Sequence, residues 1–285
     1  MDKVHPPIHP PQHTSGNTAP ATDRGPEPPK RVVPAVARAT HLLDTLAEAR
    51  QPMSLVALSS ALELPKSTVH GLCTTLVHAG LVTRFENGTY HLGLHVMDLA
   101  HAFLARTDLT NEFVKLWESL ALLPEETIIL SVLDGADVVY VACRNGSRPL
   151  GVNFRIGMRL PANCTASGKA LLSSLPPERV KAILLASGLR TLTKKRTGGL
   201  KGLLKQLVQA RKRGYSVDDE ETQDGMICFG APVFDSGSRE AVAGVAVSML
   251  KAAVDQRQRN LAAEAVKQMA QALSKRLGAR GISLS

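Results

Sequence analysis

The sequence is poor in cysteine and has no long apolar run. Its four cysteines, at positions 73, 143, 164 and 228, lie far apart and form no Cys-x-x-Cys pair. Such spacing argues against a structural zinc site or a disulfide framework and suits a reducing cytoplasm. No apolar stretch approaches the roughly 18 residues of a membrane span, and the N-terminus lacks the apolar segment of a secretory signal. We therefore expect a cytoplasmic protein without membrane contacts.

The sequence also lacks the short motifs of common enzymes. It has no Gly-x-Ser-x-Gly or His-Glu-x-x-His segment, and no histidine follows His101, so a Cys228 nucleophile has no imidazole base nearby in sequence. Residues 166–169 look like the end of a phosphate-binding loop. However, Asn163 occupies the required glycine position and Ala170 replaces the Ser or Thr that would hold magnesium. We predict no catalytic residue, no metal site and no cofactor.

Residues 54–93 carry the pattern of a winged helix-turn-helix. Ser54 is a candidate N-cap, and the leucines that follow it recur at the spacing of one helix face. A second helix is predicted from Pro65, in its first turn, to Ala79-Gly80, with apolar residues on one side. Two β-rich segments then flank Asn87-Gly88, a strong hairpin signal. In such modules the second helix enters the major groove of DNA.

The second predicted helix is polar on the face opposite its apolar stripe. Polar and basic side chains on that face and in the wing can contact phosphates and base edges. The residues that we predict to face DNA are Lys66, Ser67, Thr68, His70, Thr74 and Arg84. The alternative is a small packed helical subdomain that binds no ligand, because short helix pairs are common.

Charge is distributed unevenly along this chain of net charge +9. Residues 31–95 hold five Lys and Arg against four Asp and Glu, whereas residues 151–217 hold fourteen against one. A DNA-binding module usually concentrates basic residues where it meets phosphate, and this one does not. The basic run from Lys194 to Arg213 is either a surface for nucleic acid or an acidic partner, or a solvated helix and loop face.

The second half mixes helical and β patterns. Strands that arrive as hairpins, with helices between them, predict an antiparallel sheet covered on one face by helices. Strands are expected over residues 127–133, 138–143, 227–234 and 241–249, and helices over residues 109–123, 166–174, 178–186, 200–213 and 255–277. The predicted fold class is α+β: a mostly α-helical winged helix-turn-helix, then an α/β domain with an antiparallel sheet.

Three segments resemble the IclR family of bacterial transcriptional regulators. They are Leu64 to His70 (LPKSTVH) with the Gly80-Leu81-Val82 exit, Gly157 to Leu172 (GMRLPANCTASGKALL) and Gly214 to Val233 (GYSVDDEETQDGMICFGAPV). The resemblance covers about residues 33–278. It implies a regulator that binds double-stranded promoter DNA and carries a GAF-like C-terminal domain for a small organic metabolite.

The resemblance also implies where this effector binds. In the family the effector lies between the strands and the loop before the helix that contains the GKA segment. Carried over by motif, the effector-binding residues are Ala166, Ser167, Asp218, Cys228, Ala246 and Ser248. Free amides at a helix start suit a carboxylate, which favours an organic acid. Without the resemblance, Cys228 is interpreted as a small core residue and Asp218 as a solvated one.

Two positions depart from the family's pattern. Gly71 stands in the second helix where the family often has arginine, so the operator preference does not transfer. Ala246 stands where some relatives that bind small polar acids have serine, which favours a less polar effector.

The predicted organisation has five parts. They are a disordered Pro-rich tail (1–32), the winged helix-turn-helix (33–93), a linker helix (94–107), the effector-binding domain (108–278) and a disordered tail (279–285). An apolar stripe from Val96 to Leu104 indicates either self-association as a homo-dimer or homo-tetramer, or packing onto a flanking domain. The alternative function is a small-molecule-binding enzyme or ligand-storage protein whose N-terminal module only mediates oligomerisation.

Overall fold

The computed structural model describes residues 32–105, 108–120, 123–147, 154–195, 198–237 and 239–279. These residues fall into two units that divide between Val96 and Met97. The predicted disordered tails, 1–32 and 279–285, lie outside the described residues except for Val32 and Ala279. None of the helices within the described ranges has the length and apolar character that a membrane span requires.

The first unit is a winged helix-turn-helix, as the sequence predicts. Its elements are α1 (Pro34–Glu48), β1 (Met53–Ser54), α2 (Leu55–Ala61), α3 (Lys66–His78), β2 (Val82–Arg84) and β3 (Thr89–Leu92). The strands form an antiparallel sheet in the order β1-β3-β2. Val69 and Cys73 of α3 are fully buried against Leu42 of α1 and Leu58 of α2. The apolar stripe of α3 therefore faces the core, and its polar face is left outside.

Local hydrogen bonds explain the boundaries of this unit. The Ser54 hydroxyl accepts a bond from the Ala57 N–H at 3.2 Å, so Ser54 is the N-cap of α2 as predicted. Pro65 occupies the N-cap of α3 rather than its first turn. In the wing, the Asn87 side-chain oxygen accepts from the backbone N–H of Thr89 at 3.1 Å, and Gly88 has a φ of 79°. The Asn-Gly turn therefore joins β2 to β3.

The second unit is built on one six-stranded antiparallel sheet. Its strands are β4 (Thr127–Asp134), β5 (Asp137–Arg144), β6 (Arg159–Pro161), β7 (Ser216–Asp219), β8 (Met226–Val233) and β9 (Ala243–Leu250). The spatial order is β6-β5-β4-β9-β8-β7. The edge strands β6 and β7 were not predicted, because three- and four-residue strands give too short a pattern. The other helices are α4 (His95–Ala105), α5 (Asp108–Leu120), α6 (Ala166–Ser174), α7 (Pro177–Ser187), α8 (Gly199–Arg213) and α9 (Gln256–Arg276).

Helices cover both faces of this sheet, so the prediction of one covered face is wrong. Phe113 of α5 and Met269 of α9 belong to a core on one face with Phe229 of β8. Leu171 of α6 belongs to a second core with Cys228 of β8 on the other face. Strand β8 is buried at every position, so its sequence shows none of the alternation that distinguishes a solvated face.

Helix α6 lies directly on the sheet because two strand positions lack a side chain. A Cβ atom on Gly230 of β8 would lie 2.5 Å from the backbone carbonyl of Ala166. A Cβ atom on Gly244 of β9 would lie 2.8 Å from the backbone carbonyl oxygen of Ser167. These separations are shorter than van der Waals contact allows. Glycine at both positions therefore fixes the start of α6 against β8 and β9.

We expect Gly230→Ala to destabilise the second unit, because the added methyl group meets backbone atoms that cannot move independently. The expected loss in free energy of unfolding is about 3 kcal/mol. Urea denaturation followed by circular dichroism measures it. Gly237→Ala is the matched control, since a Cβ there meets only the Asp235 carboxylate at 3.9 Å. A Gly230→Ala protein as stable as the control would contradict the close seating of α6.

Candidate nucleic-acid interface and effector site

The structure brings most of the predicted DNA-facing residues together. Lys66, Ser67, His70 and Thr74 are exposed on α3, and at 100° per residue they lie within one arc of about 100° on its outer face. Thr68 is half-buried and lies apart from them, towards the packed side of the helix. Four of the five predicted α3 residues therefore form one polar surface.

Hydrogen bonds within α3 modify the chemistry of this surface. The Thr74 hydroxyl donates to the His70 carbonyl at 2.9 Å, and the Thr75 hydroxyl donates to the Gly71 carbonyl at 3.0 Å. Each hydroxyl thus uses its single proton inside the helix and presents an acceptor oxygen outwards. His78, also exposed, follows Thr74 by one helical turn. The prediction did not include His78, although helical periodicity would have placed it on this face.

Arg84 lies in the sheet of the wing rather than at its tip. It is exposed at the end of β2, opposite Tyr90 of β3, and its guanidinium lies 5.9 Å from the centroid of the Tyr90 ring. A cation held over an aromatic face keeps an ordered position while its N–H groups remain available. The wing tip itself carries Phe85, which is 45 % exposed.

The six predicted effector positions meet on one face of the large sheet. Register pairs Asp218 of β7 with Cys228 of β8, and Cys228 with Ser248 of β9. Side chains in register across neighbouring strands point to the same face. Ala246 lies two residues from Ser248 on that face, and Ala166 and Ser167 begin α6 above it. All six residues are at most 7 % exposed.

Asp218 is a buried carboxyl, so its interpretation as a solvated residue is wrong. It is 1 % exposed, and its Oδ1 accepts bonds from the backbone N–H groups of Glu221 at 2.8 Å and Thr222 at 3.2 Å. Burial raises the pKa of Asp218 above its usual 3.8, and these bonds together with nearby Lys169 only partly offset that effect. A carboxyl of this kind takes up a proton more readily than one in water.

Cys228 is a core residue, and it also lies between Asp218 and Ser248 in a row of side chains across three neighbouring strands. Its thiol donates to the Ser248 hydroxyl at 3.3 Å. Burial raises the pKa of the Cys228 thiol well above its usual value, because a buried thiolate loses its hydration. The thiol form offers a weakly polar wall rather than a nucleophile.

A buried ion pair beside the site was not predicted. Lys169 of α6 places its Nζ 2.8 Å from Glu221 Oε1 and 3.0 Å from Gln206 Oε1 of α8. The Lys169 and Glu221 side chains are 1 % and 8 % exposed. Because these residues are 52 positions apart, only the folded chain shows the pairing. The pair joins α6 to the turn after β7, and Gln206 adds α8 to the same contact. In the part of the chain that is described, no cluster of three or more potential ligands could hold a metal ion.

The fold and the site together define a class of protein, a transcriptional regulator with a DNA-binding helix-turn-helix and a separate sensor domain. Residues 35–85 match the IclR helix-turn-helix domain, and residues 101–275 match the bacterial transcriptional regulator IclR C-terminal domain. The chain therefore belongs to the IclR family.

Individual relatives agree with this assignment. The HTH-type transcriptional regulator XynR of Escherichia coli K12 is 31 % identical over 248 residues, which cover 87 % of this chain and 98 % of XynR. The crystal structure of the Agobacterium tumefaciens repressor BlcR is 36 % identical with a TM-score of 0.58, and that of Thermotoga maritima IclR is 25 % identical with a TM-score of 0.71. The matches cover 87 % and 86 % of this chain, respectively, and 99 % of each relative. These names support a regulator and not an enzyme.

Asp218→Asn tests the buried carboxyl. Because the pKa of Asp218 is raised, the folded protein holds the proton of this carboxyl more tightly than the unfolded chain does. The contribution of Asp218 to stability is therefore complete below pH 3.8 and is lost as pH rises through the raised pKa. Asn does not ionise, so the stability of Asp218→Asn relative to wild type should increase with pH. Urea unfolding of both proteins from about pH 4 to pH 8 measures this difference. A constant or falling difference would show that Asp218 is not buried as described.

Proposed function

We propose that this IclR-family regulator binds promoter DNA in the cytoplasm as a homo-dimer or homo-tetramer and is controlled by a small organic acid bound in its C-terminal domain. The observation that carries the proposal is the convergence of the six effector positions on one sheet face beneath the start of α6. The proposed parts are the DNA-binding domain (33–93), the linker helix (94–107) and the effector-binding domain (108–278).

For DNA binding, we propose that the outer face of α3 enters the major groove. Lys66, Ser67, His70 and Thr74 share that face, and Thr68 contacts the duplex only from its flank. Arg84 extends the surface into the wing, where a cation reaches a phosphate or the minor groove. The described part of the first unit carries as many acidic as basic residues, so hydrogen bonds have a larger share in binding than bulk charge.

Exposed apolar residues near α4 support self-association. Leu94, Met97 and Leu99 are 84 %, 66 % and 53 % exposed. Large apolar side chains exposed on one short segment often mark a contact between protein copies. Of the predicted stripe, Leu99 and Ala100 are exposed and Val96 is half-buried, whereas the side chains of Phe103 and Leu104 lie outside the described part. We infer that a second copy covers this helix and brings two DNA-binding units together, as a palindromic operator requires.

The lining of the effector site favours an acid with an apolar body. Asp218, Ser248 and Ser167 supply hydrogen-bonding groups, whereas Ala246 and the neighbouring Ile129 supply apolar walls. Burial raises the pKa of Asp218 and so favours its protonated form, and that form can donate a hydrogen bond to an effector carboxylate. Effector binding that favours one arrangement of the paired units would then change operator affinity.

Lys66→Ala and Gly71→Arg should change DNA binding in opposite directions. Lys66→Ala removes one phosphate contact, so the slope of log K against log salt should fall by about one. A Cβ on Gly71 meets no atom of the described residues within 4 Å, so arginine fits on the outer face and should raise affinity and slope. Filter binding to a promoter fragment at several salt concentrations measures both. Lys181→Ala, on α7, is the control that should match wild type; equal slopes in all four proteins would exclude this docking face.

Cys228→Phe should abolish the response to an effector and leave DNA binding intact. The added ring takes up the room that an effector would need beside Ser248, so affinity should fall at least about 100-fold. Thermal-shift screening of wild type with a panel of small carboxylic acids identifies ligands, which are then titrated against the variant. Leu185→Phe, at a position 74 % exposed on α7, controls for the added ring. Ligands that stabilise Cys228→Phe as strongly as wild type would show that the effector binds elsewhere.

A further inference from the structure

The connection between α7 and α8 contains a segment without regular structure, residues 189–195, which we call the strap. One end of the strap is held at the loop before α6. The carbonyl of Arg190 accepts bonds from the Asn163 side-chain amide at 2.8 Å and from the Cys164 thiol at 3.2 Å. The Arg190 guanidinium also forms an ion pair with Asp137 at the start of β5. This end is therefore anchored at two elements.

The other end of the strap is held at the turn after β7. The Thr193 hydroxyl donates to the Glu220 carbonyl at 2.6 Å, and it accepts from the Lys195 N–H at 3.2 Å. Lys195 Nζ lies 2.8 Å from Asp219 and 3.3 Å from Glu220. The Thr193 bond to Glu220 is part-buried, whereas the Lys195 ion pairs lie at the surface, where such pairs are weak and screened by salt. The strap is thus fastened at this end by contacts that can break without disturbing a core.

The two anchoring points belong to the two segments that carry the effector positions. Asn163 and Cys164 precede the start of α6, which carries Ser167, and Glu220 follows Asp218 by two residues. Leu189 packs against the same core that contains Cys228. The strap therefore connects the segment of Ser167 to the segment of Asp218 beside the proposed effector site.

The site requires an opening, because its residues are inaccessible in this structure. Every effector position is at most 7 % exposed. The sheet and α6 cannot separate easily, since Gly230 and Gly244 place them in backbone contact. The strap has neither a strand ladder nor a helix to hold it. A segment of this kind opens at a lower cost in free energy than a paired strand or a packed helix.

We propose that the strap closes the effector site and that Thr193 and Lys195 are positioning residues that latch it to the turn after β7. The proposal rests on the effector site described under the proposed function. Glu220 has a φ of 63°, a left-handed conformation that is held by Gly225 N–H bonding to its carboxylate and by Lys251. Release of the Thr193 bond frees one side of this turn, whose next residue, Glu221, holds Asp218. Opening of the strap thus changes the site as well as its access.

Thiol labelling of the full-length protein tests the latch without any effector. The Thr193→Val/Lys195→Met variant loses both latch contacts, and Thr191→Val/Lys194→Met makes the same chemical changes at exposed neighbouring positions. N-ethylmaleimide labelling of each cysteine is followed by mass spectrometry. We expect Cys164 and Cys228 to react about tenfold faster in the latch variant, the factor that corresponds to one lost hydrogen bond. Cys73, in the first unit, should react at the wild-type rate in all proteins.

Two results would overturn the proposal. Equal labelling rates of Cys164 and Cys228 in the two double variants would show that these contacts do not control access. A faster rate that rises steeply with low concentrations of urea would show global unfolding, because local opening exposes little surface and depends weakly on urea. Since no effector is used, failure here leaves the effector site standing. Failure of the Cys228→Phe test would instead leave strap opening as a measured motion without a ligand.

Discussion

The backbone contact of α6 with β8 and β9 is the constraint on which the second unit depends. Gly230 and Gly244 allow the helix to approach the sheet, and the Ser216 hydroxyl fixes the approach with a 2.5 Å bond to the Ala166 carbonyl. This contact places the start of α6 over the row of Asp218, Cys228 and Ser248. A larger residue at either glycine would lift the helix and open the row to solvent. The proposed effector site therefore depends on the absence of a side chain at these two positions.

The acidic run at the end of β7 shows how one short segment supports several roles. Asp218 and Glu221 are buried, and burial raises the pKa of both carboxyls. Asp219 and Glu220 are more exposed, and their bonds with Lys195 and Lys251 lower the pKa of each. The buried pair faces the site and Lys169, whereas the exposed pair holds the strap. The proposed ligand contact, the bracing of α6 through Lys169 and the proposed closure therefore all depend on four consecutive residues.

The sequence allowed a better prediction of local structure than of the site. The α2 N-cap and the wing turn depend on neighbours a few residues apart, as at Ser54 and Asn87, so spacing revealed them. The placement of Cys228 beside Asp218 depends on strand register, and the roles proposed for both residues came from family resemblance. The Lys169–Glu221 pair joins segments that meet only in the fold. The sequence also did not indicate that helices cover the second face of the sheet, because a strand such as β8 that is buried on both sides has no alternating pattern.

The most direct test of the central claim is selection of genomic DNA fragments by the full-length protein at two salt concentrations, with random-sequence competitor. An effector-controlled regulator predicts enrichment of promoter fragments that share a sequence, and tight binding to them that resists the competitor and weakens with salt. Fragments recovered without a shared sequence, and bound no more tightly than the competitor, would contradict the assignment of α3 as a recognition helix.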